Sequence, residues 1–509
     1  MSIEAPSAKD FEALSQRFGL RLSEAERAAF VSFAEGVKLS YDRLDEVPDP
    51  QPPRFAGERS PGHAPRDADN PYNAWAWISE IKGSANGPLA GERIGVKDNI
   101  AVAGLPMRNG SRTLGNFVPT IDATVITRIL EAGGIIAGKT TCEDLCFSGG
   151  SHTSWPAPIK NPRKPSHAAG GSSSGSAAAI AAGDIRMCLG GDQGGSVRTP
   201  ASWCGIVGLK PTHGLVPYTG IFPVEPTLDH CGPMGRTVED VAPLLAVIAG
   251  PDGLDPRQHN AVVQDYLSAL DSPLQGLKVG VVREGFGRPE SDPATDETVR
   301  GALQALQRQG AQLEEVSIPW HLEGFHVYTA IVLEGISEMM LKGNAMGYGW
   351  QGYYSAEMLE AFGRNWRARP DELPVAAKFV LLTSEYIRDK YYGRHYAKAQ
   401  NLRRKFRAAY DEALSRFDVL AMPTIPFRAP PLPEADCGPE ATILHSFNME
   451  GNTGPFDVTG HPAISVPCGM VDELPVGLMF IGKAFDEVSV LRAAHHLERI
   501  AQAEGQWTP

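Results

Sequence analysis

Two stretches, GGSSSGSAAAIAAG at residues 170–183 and GGDQGGSVRTPA at 190–201, organise the reading of the whole chain. In the first, Ser176 to Ala182 are small residues that favour a helix and let backbone segments approach closely. In the second, Gly194 and Gly195 let the chain turn tightly just before Ser196, so that several N–H groups converge on one small space. Such a nest stabilises an oxyanion. A flexible linker would share the glycine and serine but not the alanine and apolar patterning around them. Two serine-bearing loops held rigid by a short helix are therefore expected.

Outward from this centre, short apolar strands alternate with helices. Ile94 to Val96 read as a strand, Asp122 to Ala132 as a helix and Ile135 to Ala137 as a second strand. The pattern returns in Leu277 to Val282, Asp296 to Gln309 and Gln312 to Val316, which places the chain in the α/β class. Residues 7 to 46 read instead as amphipathic helices, with a capping box at Ser23-Glu24-Ala25-Glu26 followed by Phe30, Phe33, Ala34, Val37, Tyr41 and Leu44 at helical spacing. A proline-rich connection follows at 47–69. The expected organisation is a helical module with its linker at 1–69 and a main domain at 70–509. Within the latter, 320–415 is mainly helical and rich in aromatics.

Composition narrows the function. The 509 residues carry 47 Lys and Arg against 60 Asp and Glu, a net charge of -13 that repels a phosphate backbone, so nucleic acid is not expected as a partner. No run approaches the roughly 18 apolar residues of a membrane span, and the start lacks the pattern of a signal peptide, so no membrane association and a cytoplasmic location are expected. The seven cysteines are odd in number and form no CxxC pair, which indicates neither a disulfide framework nor a zinc site. No metal ligand set and no cofactor are read from the chain.

Two motifs match well-known patterns out of context. Gly133 to Thr140 fits the phosphate loop GxxxxGK[ST], but that loop needs a strand before it and a helix after it, and here the order is reversed. Gly171 to Gly175 fits GxSxG with Ser173 as nucleophile, yet a polar, proline-broken segment at 161–167 stands where a strand is required. His213, His230, His445 and His461 have no context that marks one as a triad base. A serine hydroxyl needs a base, and a lysine can serve only where burial favours its neutral form. Lys97, at the end of the strand Ile94-Gly-Val-Lys97, is the candidate, although the local sequence alone fits a surface lysine at a strand end slightly better.

Together these residues resemble the amidase signature family. Gly95-Val-Lys-Asp-Asn99 is similar to its catalytic lysine motif, and 170–183 with 190–201 to the signature itself. The resemblance extends through 204–212, 229–233, 418–424 and 459–467, covering roughly residues 70 to 500. It implies a central mixed, twisted sheet flanked by helices, with the N-terminal helices as a small separate domain. It also implies a Ser-cisSer-Lys triad of Ser196 as nucleophile, Ser172 as bridging serine in a cis linkage and Lys97 as base. The oxyanion hole would come from the N–H groups of Gln193, Gly194, Gly195 and Ser196. Gln193 departs from the threonine of many relatives. That variant, the segments 216–220 and 255–258, and the N-terminal helices make the chain similar to bacterial amidases of nitrile degradation.

The resemblance further implies hydrolysis of small carboxamides to acid plus ammonia or amine, without cofactor, in a homodimer. The acyl pocket is expected around Phe147, Ser148, Gly149 and Gly150, beside Cys146, and along the variable 320–366 region, with Phe147 equally readable as core. If the aromatics of that region line the pocket, aryl or bulky acyl groups are favoured over acetamide. The competing readings are the glutaminase subunit of a tRNA-dependent amidotransferase, a nucleotide-binding protein using Gly133 to Thr140, and a catalytically silent scaffold.

Overall fold

Apolar segments spaced along the larger part of the chain pair into one sheet, because each can bury its backbone polar groups only against another strand. The computed structural model describes residues 3–508, and the chain divides into two units between Gln51 and Pro52. The smaller unit contains the helices Ala8–Arg17 and Glu24–Glu46. Each opens on a capping box, Ser7 with Asp10 and Ser23 with Glu26. Phe11 meets Phe30 edge to face across the pair. The second helix buries none of its residues, and Phe33 and Leu44 are 78% and 66% exposed.

In the larger unit the strands are β1 (Trp75–Lys82), β2 (Arg93–Lys97), β3 (Ile135–Thr140), β4 (Met187–Asp192), β5 (Val207–Lys210), β6 (His230–Gly235), β7 (Lys278–Val282), β8 (Gln312–Val316), β9 (Val419–Pro423), β10 (Ala463–Val471) and β11 (Leu474–Gly482). They form one sheet in the order β1-β3-β2-β4-β6-β5-β10-β11-β9-β7-β8. Parallel pairs β3/β2/β4 and β9/β7/β8 flank an antiparallel centre, so the sheet is mixed. The two strand-helix-strand units read from the sequence are β2 to β3, through the helix Thr124–Glu131, and β7 to β8, through Pro293–Arg308. Helices pack on the sheet, among them Glu487–Ala503 against β10 and β11.

The strand expected at Ile135 to Ala137 runs on to Thr140. Gly133 to Thr140 is thus a turn entering a strand, and Lys139 is buried in an ion pair with Asp98, 3.0 Å from its Oδ1. That lysine has no free charge for a phosphate, which removes the nucleotide-binding reading's structural basis. The proline-rich connection is tied down beyond Pro52: Pro53 O accepts from Thr127 Oγ1, Arg59 pairs with Asp122, and His63 bridges to Ile78. The 320–415 stretch is helical, with Trp320–Ile336, Ala356–Ala368, Val375–Tyr391 and Arg394–Leu414. Among the described residues no helix is long and apolar enough to cross a membrane.

Candidate active site

Strand pairing sets the geometry. β2 and β4 are parallel neighbours in register at Gly95 and Cys188, so Lys97 and Asp192 leave the sheet at the same end. A Cβ on Gly95 would lie 2.6 Å from Cys188 Sγ, which keeps that position small. Lys97 is fully buried; its Nζ donates to Ser172 Oγ at 2.8 Å and to Gly191 O at 3.3 Å. The Gly171–Ser172 peptide is cis. The following residue, Ser173, donates its N–H to Ser196 O at 3.1 Å and so laces the two glycine-serine segments together. Its hydroxyl donates to Gly191 O and accepts from Gly191 N–H, both at 3.1 Å, which occupies the serine of the GxSxG match inside the loop.

The turn before Ser196 is held from below by charge. Asp192 Oδ1 accepts from Gly195 N–H at 2.8 Å, and its Oδ2 accepts from Val197 N–H at 3.0 Å. Arg198 binds both carboxylate oxygens and reaches Asp457 Oδ2 at 2.7 Å, with all three side chains fully buried. Burial alone would push the Asp192 carboxyl up, but the charge and hydrogen bonds of Arg198 hold it well below the usual carboxylate range. Thr453 Oγ1 clamps Gly194 O, and Gln193 Nε2 donates to Tyr218 OH at 2.9 Å. Among the described residues the N–H groups of Gln193, Gly194 and Ser196 meet no acceptor. Gly195, expected among the oxyanion donors, gives its N–H to Asp192 instead.

Ser196 is half-buried at the floor of a cavity of about 1000 Å³, its solvent-filled mouth included. Phe147, Ser148 and Gly149 line it as expected. Gly150 does not, and its N–H turns back onto Ser148 Oγ. Phe147 is at once wall and core, 3% exposed within a second hydrophobic cluster. The aromatics of 320–366 are redistributed: Tyr328 lines this cavity, Trp350 and Tyr353 line a different one, and Phe362 is core. Within the expected 320–366 region the wall is Phe325, Thr329, Val332 and Ile336, residues not singled out from the sequence, which form one stripe of the helix Trp320–Ile336 at helical spacing. Phe379, Phe447 and Glu450 complete it from distant segments. Glu450 is buried, its Oε2 bonds to nothing in the described chain, and burial raises its carboxyl to about 8.

None of the candidate triad histidines lines the cavity. His213 bonds Pro226 O, His230 bonds Leu228 O, His461 pairs with Asp411 and His445 packs on His152. No group of three or more His, Cys, Asp or Glu among the described residues is placed to hold a metal ion.

The family model for amidases matches residues 71–491. The chain belongs to the amidase family. It is a serine amidase that hydrolyses amide C–N bonds. It is 46% identical over 502 residues to an enantioselective amidase of Rhodococcus rhodochrous, covering 97% of this chain and 95% of the relative. It is 37% identical to a glutamyl-tRNA(Gln) amidotransferase subunit of Exiguobacterium sibiricum, over 92% and 94% of the two chains. The crystal structure of the corresponding Thermotoga maritima amidotransferase subunit superposes with a TM-score of 0.67 at 33% identity, covering 83% of this chain and 85% of that one. The amidase fold expected from the signature motifs is thus the fold observed.

Proposed function

We propose that this amidase cleaves uncharged carboxamides with bulky apolar acyl groups through an acyl-Ser196 intermediate. The observation that carries the reading is the 2.8 Å hydrogen bond from the buried Lys97 Nζ to Ser172 Oγ, beside three unengaged backbone N–H groups. Ser196 Oγ attacks the amide carbon, its proton passes to Ser172, and Ser172 gives its own to Lys97. The N–H groups of Gln193, Gly194 and Ser196 receive the tetrahedral oxyanion. On collapse the relay returns a proton to the leaving nitrogen, and ammonia or an amine departs. Water then repeats the sequence against the ester on Ser196 and releases the acid.

The cavity supports the substrate class. Phe147, Phe325, Val332, Ile336 and Phe379 offer an apolar wall, and no Lys or Arg lines it to receive a substrate carboxylate. That composition favours a stand-alone amidase over the glutaminase reading, which the similarity to amidotransferase subunits keeps in view. By analogy with the enantioselective relative, discrimination between enantiomers of a bulky α-substituted amide is expected. The exposed apolar face of the helix Glu24–Glu46 supports a homodimer.

The test is a panel of benzamide, acetamide, glutamine and an anilide. The reading expects benzamide turnover to exceed acetamide turnover, with no activity in Ser196→Ala. Turnover of glutamine alone would transfer the case to the glutaminase reading, and acetamide turned over as fast as benzamide would remove the bulky-acyl preference.

A further inference from the structure

The wall of the catalytic cavity carries a second nucleophile that the relay leaves unused. Cys146 lines the cavity and is half-buried, whereas Cys142 behind it is fully buried, and both are free thiols. Leu145 and Cys146 take positive φ, 51° and 61°, which folds the segment back on itself. As a result both thiols converge on one acceptor, each sulfur 3.4 Å from Asn109 Oδ1. The two are unequal. The neighbouring Cys142 thiol lowers the Cys146 thiol against the cost of burial. Burial pushes the Cys142 thiol well above the ordinary range. A thiol on the cavity wall, backed by a fully buried thiol that shares its acceptor, matches the division between an attacking and a resolving cysteine.

We propose that Cys146 is a modification site for hydroperoxides within the catalytic cavity and that Cys142 is its resolving thiol. The Cys146 thiolate attacks one peroxide oxygen; an S–O bond forms, the O–O bond breaks and hydroxide leaves. Cys142 then attacks the sulfenic sulfur; the S–S bond forms, the S–O bond breaks and water departs with the Cys142 proton. The two thiols lose two electrons and the peroxide gains them. The disulfide moves the cavity wall at Phe147 to Gly149, so amide hydrolysis stops until a dithiol reduces the bond.

The experiment treats the full-length enzyme with hydrogen peroxide and follows amide hydrolysis together with peptide mass mapping. Wild type is expected to lose activity as a Cys142–Cys146 linkage accumulates, and to regain it with dithiothreitol. Cys146→Ser, whatever its starting rate, is expected to decay about tenfold more slowly. Cys142→Ser is expected to be inactivated without recovery, because the sulfenic acid proceeds to sulfinic acid. Half-buried Cys437 serves as the internal comparison in wild type and needs no variant to fold. Oxidation mapping to Cys437 before Cys146, absence of the linkage, or equal decay of Cys146→Ser would overturn the assignment.

Discussion

At the residue scale the cavity's chemistry depends on which groups are charged. Glu450 is a buried carboxyl raised from 4.5 to about 8, so it stands neutral in the apolar wall at neutral pH. Above about pH 8 it ionises and puts a negative charge beside an uncharged substrate. KM for an aryl amide should then rise roughly fivefold, the equivalent of about 1 kcal/mol, and Glu450→Gln should flatten that rise. The linkage sign agrees: the folded state holds this proton between 4.5 and about 8, so Glu450 lowers stability as pH climbs through that window. The variant should lose that slope in urea titrations at about pH 6 and about pH 8. A KM profile unmoved by Glu450→Gln would show that the carboxyl does not face the substrate. The candidate residues Lys97, Ser172 and Ser196 stand out in the sequence because they sit in short motifs whose glycines announce tight turns. Glu450 does not, because its setting is made by residues far away in sequence, such as Tyr328 and Gly194.

At the scale of elements, the turn before Ser196 is built on a buried ion network rather than on the glycines alone. Asp192 at the end of β4 ties down Gly195, Val197 and Arg198, and Arg198 carries the restraint across to Thr453 and Asp457. Asp192→Asn leaves the buried guanidinium with Asp457 as its one carboxylate partner and strips the turn of its acceptor, so a loss of about 3 kcal/mol is expected in denaturant titrations. Because the turn also aims the N–H groups, kcat should fall about a hundredfold with a smaller change in KM. Unchanged kcat in a folded Asp192→Asn protein would separate the network from catalysis. The helix Trp320–Ile336 illustrates what pattern can and cannot reveal. Its apolar residues repeat at helical spacing, yet periodicity does not distinguish the stripe facing the cavity from the one facing the core. Of the aromatics in 320–366, Phe325 and Tyr328 join Val332 and Ile336 in the wall, whereas Trp350 and Tyr353 line another cavity.

At the scale of the molecule, the fold was legible where strands and helices alternate, since each strand's apolar run and each following helix carry their own signals. The strand order was not: β10 and β11 enter the middle of the sheet from the far end of the chain, and pairing across more than 250 residues leaves no local trace. The smaller helical unit was legible from the capping box at Ser23 to Glu26 and the apolar spacing after it, and its exposed Phe33 and Leu44 bear on assembly. Sedimentation at micromolar concentration should report twice the 54.7 kDa chain mass. Phe33→Ser combined with Leu44→Ser should shift the species toward one chain. A single-chain mass for the unaltered protein would exclude the homodimer.

Turnover through the relay requires an acyl group carried by Ser196, and the most direct measurement traps it. Acid-quenching the enzyme during turnover of a slowly hydrolysed aryl amide, followed by peptide mass mapping, should find the acyl group on the peptide containing Ser196 and nowhere in Ser196→Ala. An adduct on Ser173 or Cys146, or sustained turnover by Ser196→Ala, would contradict it.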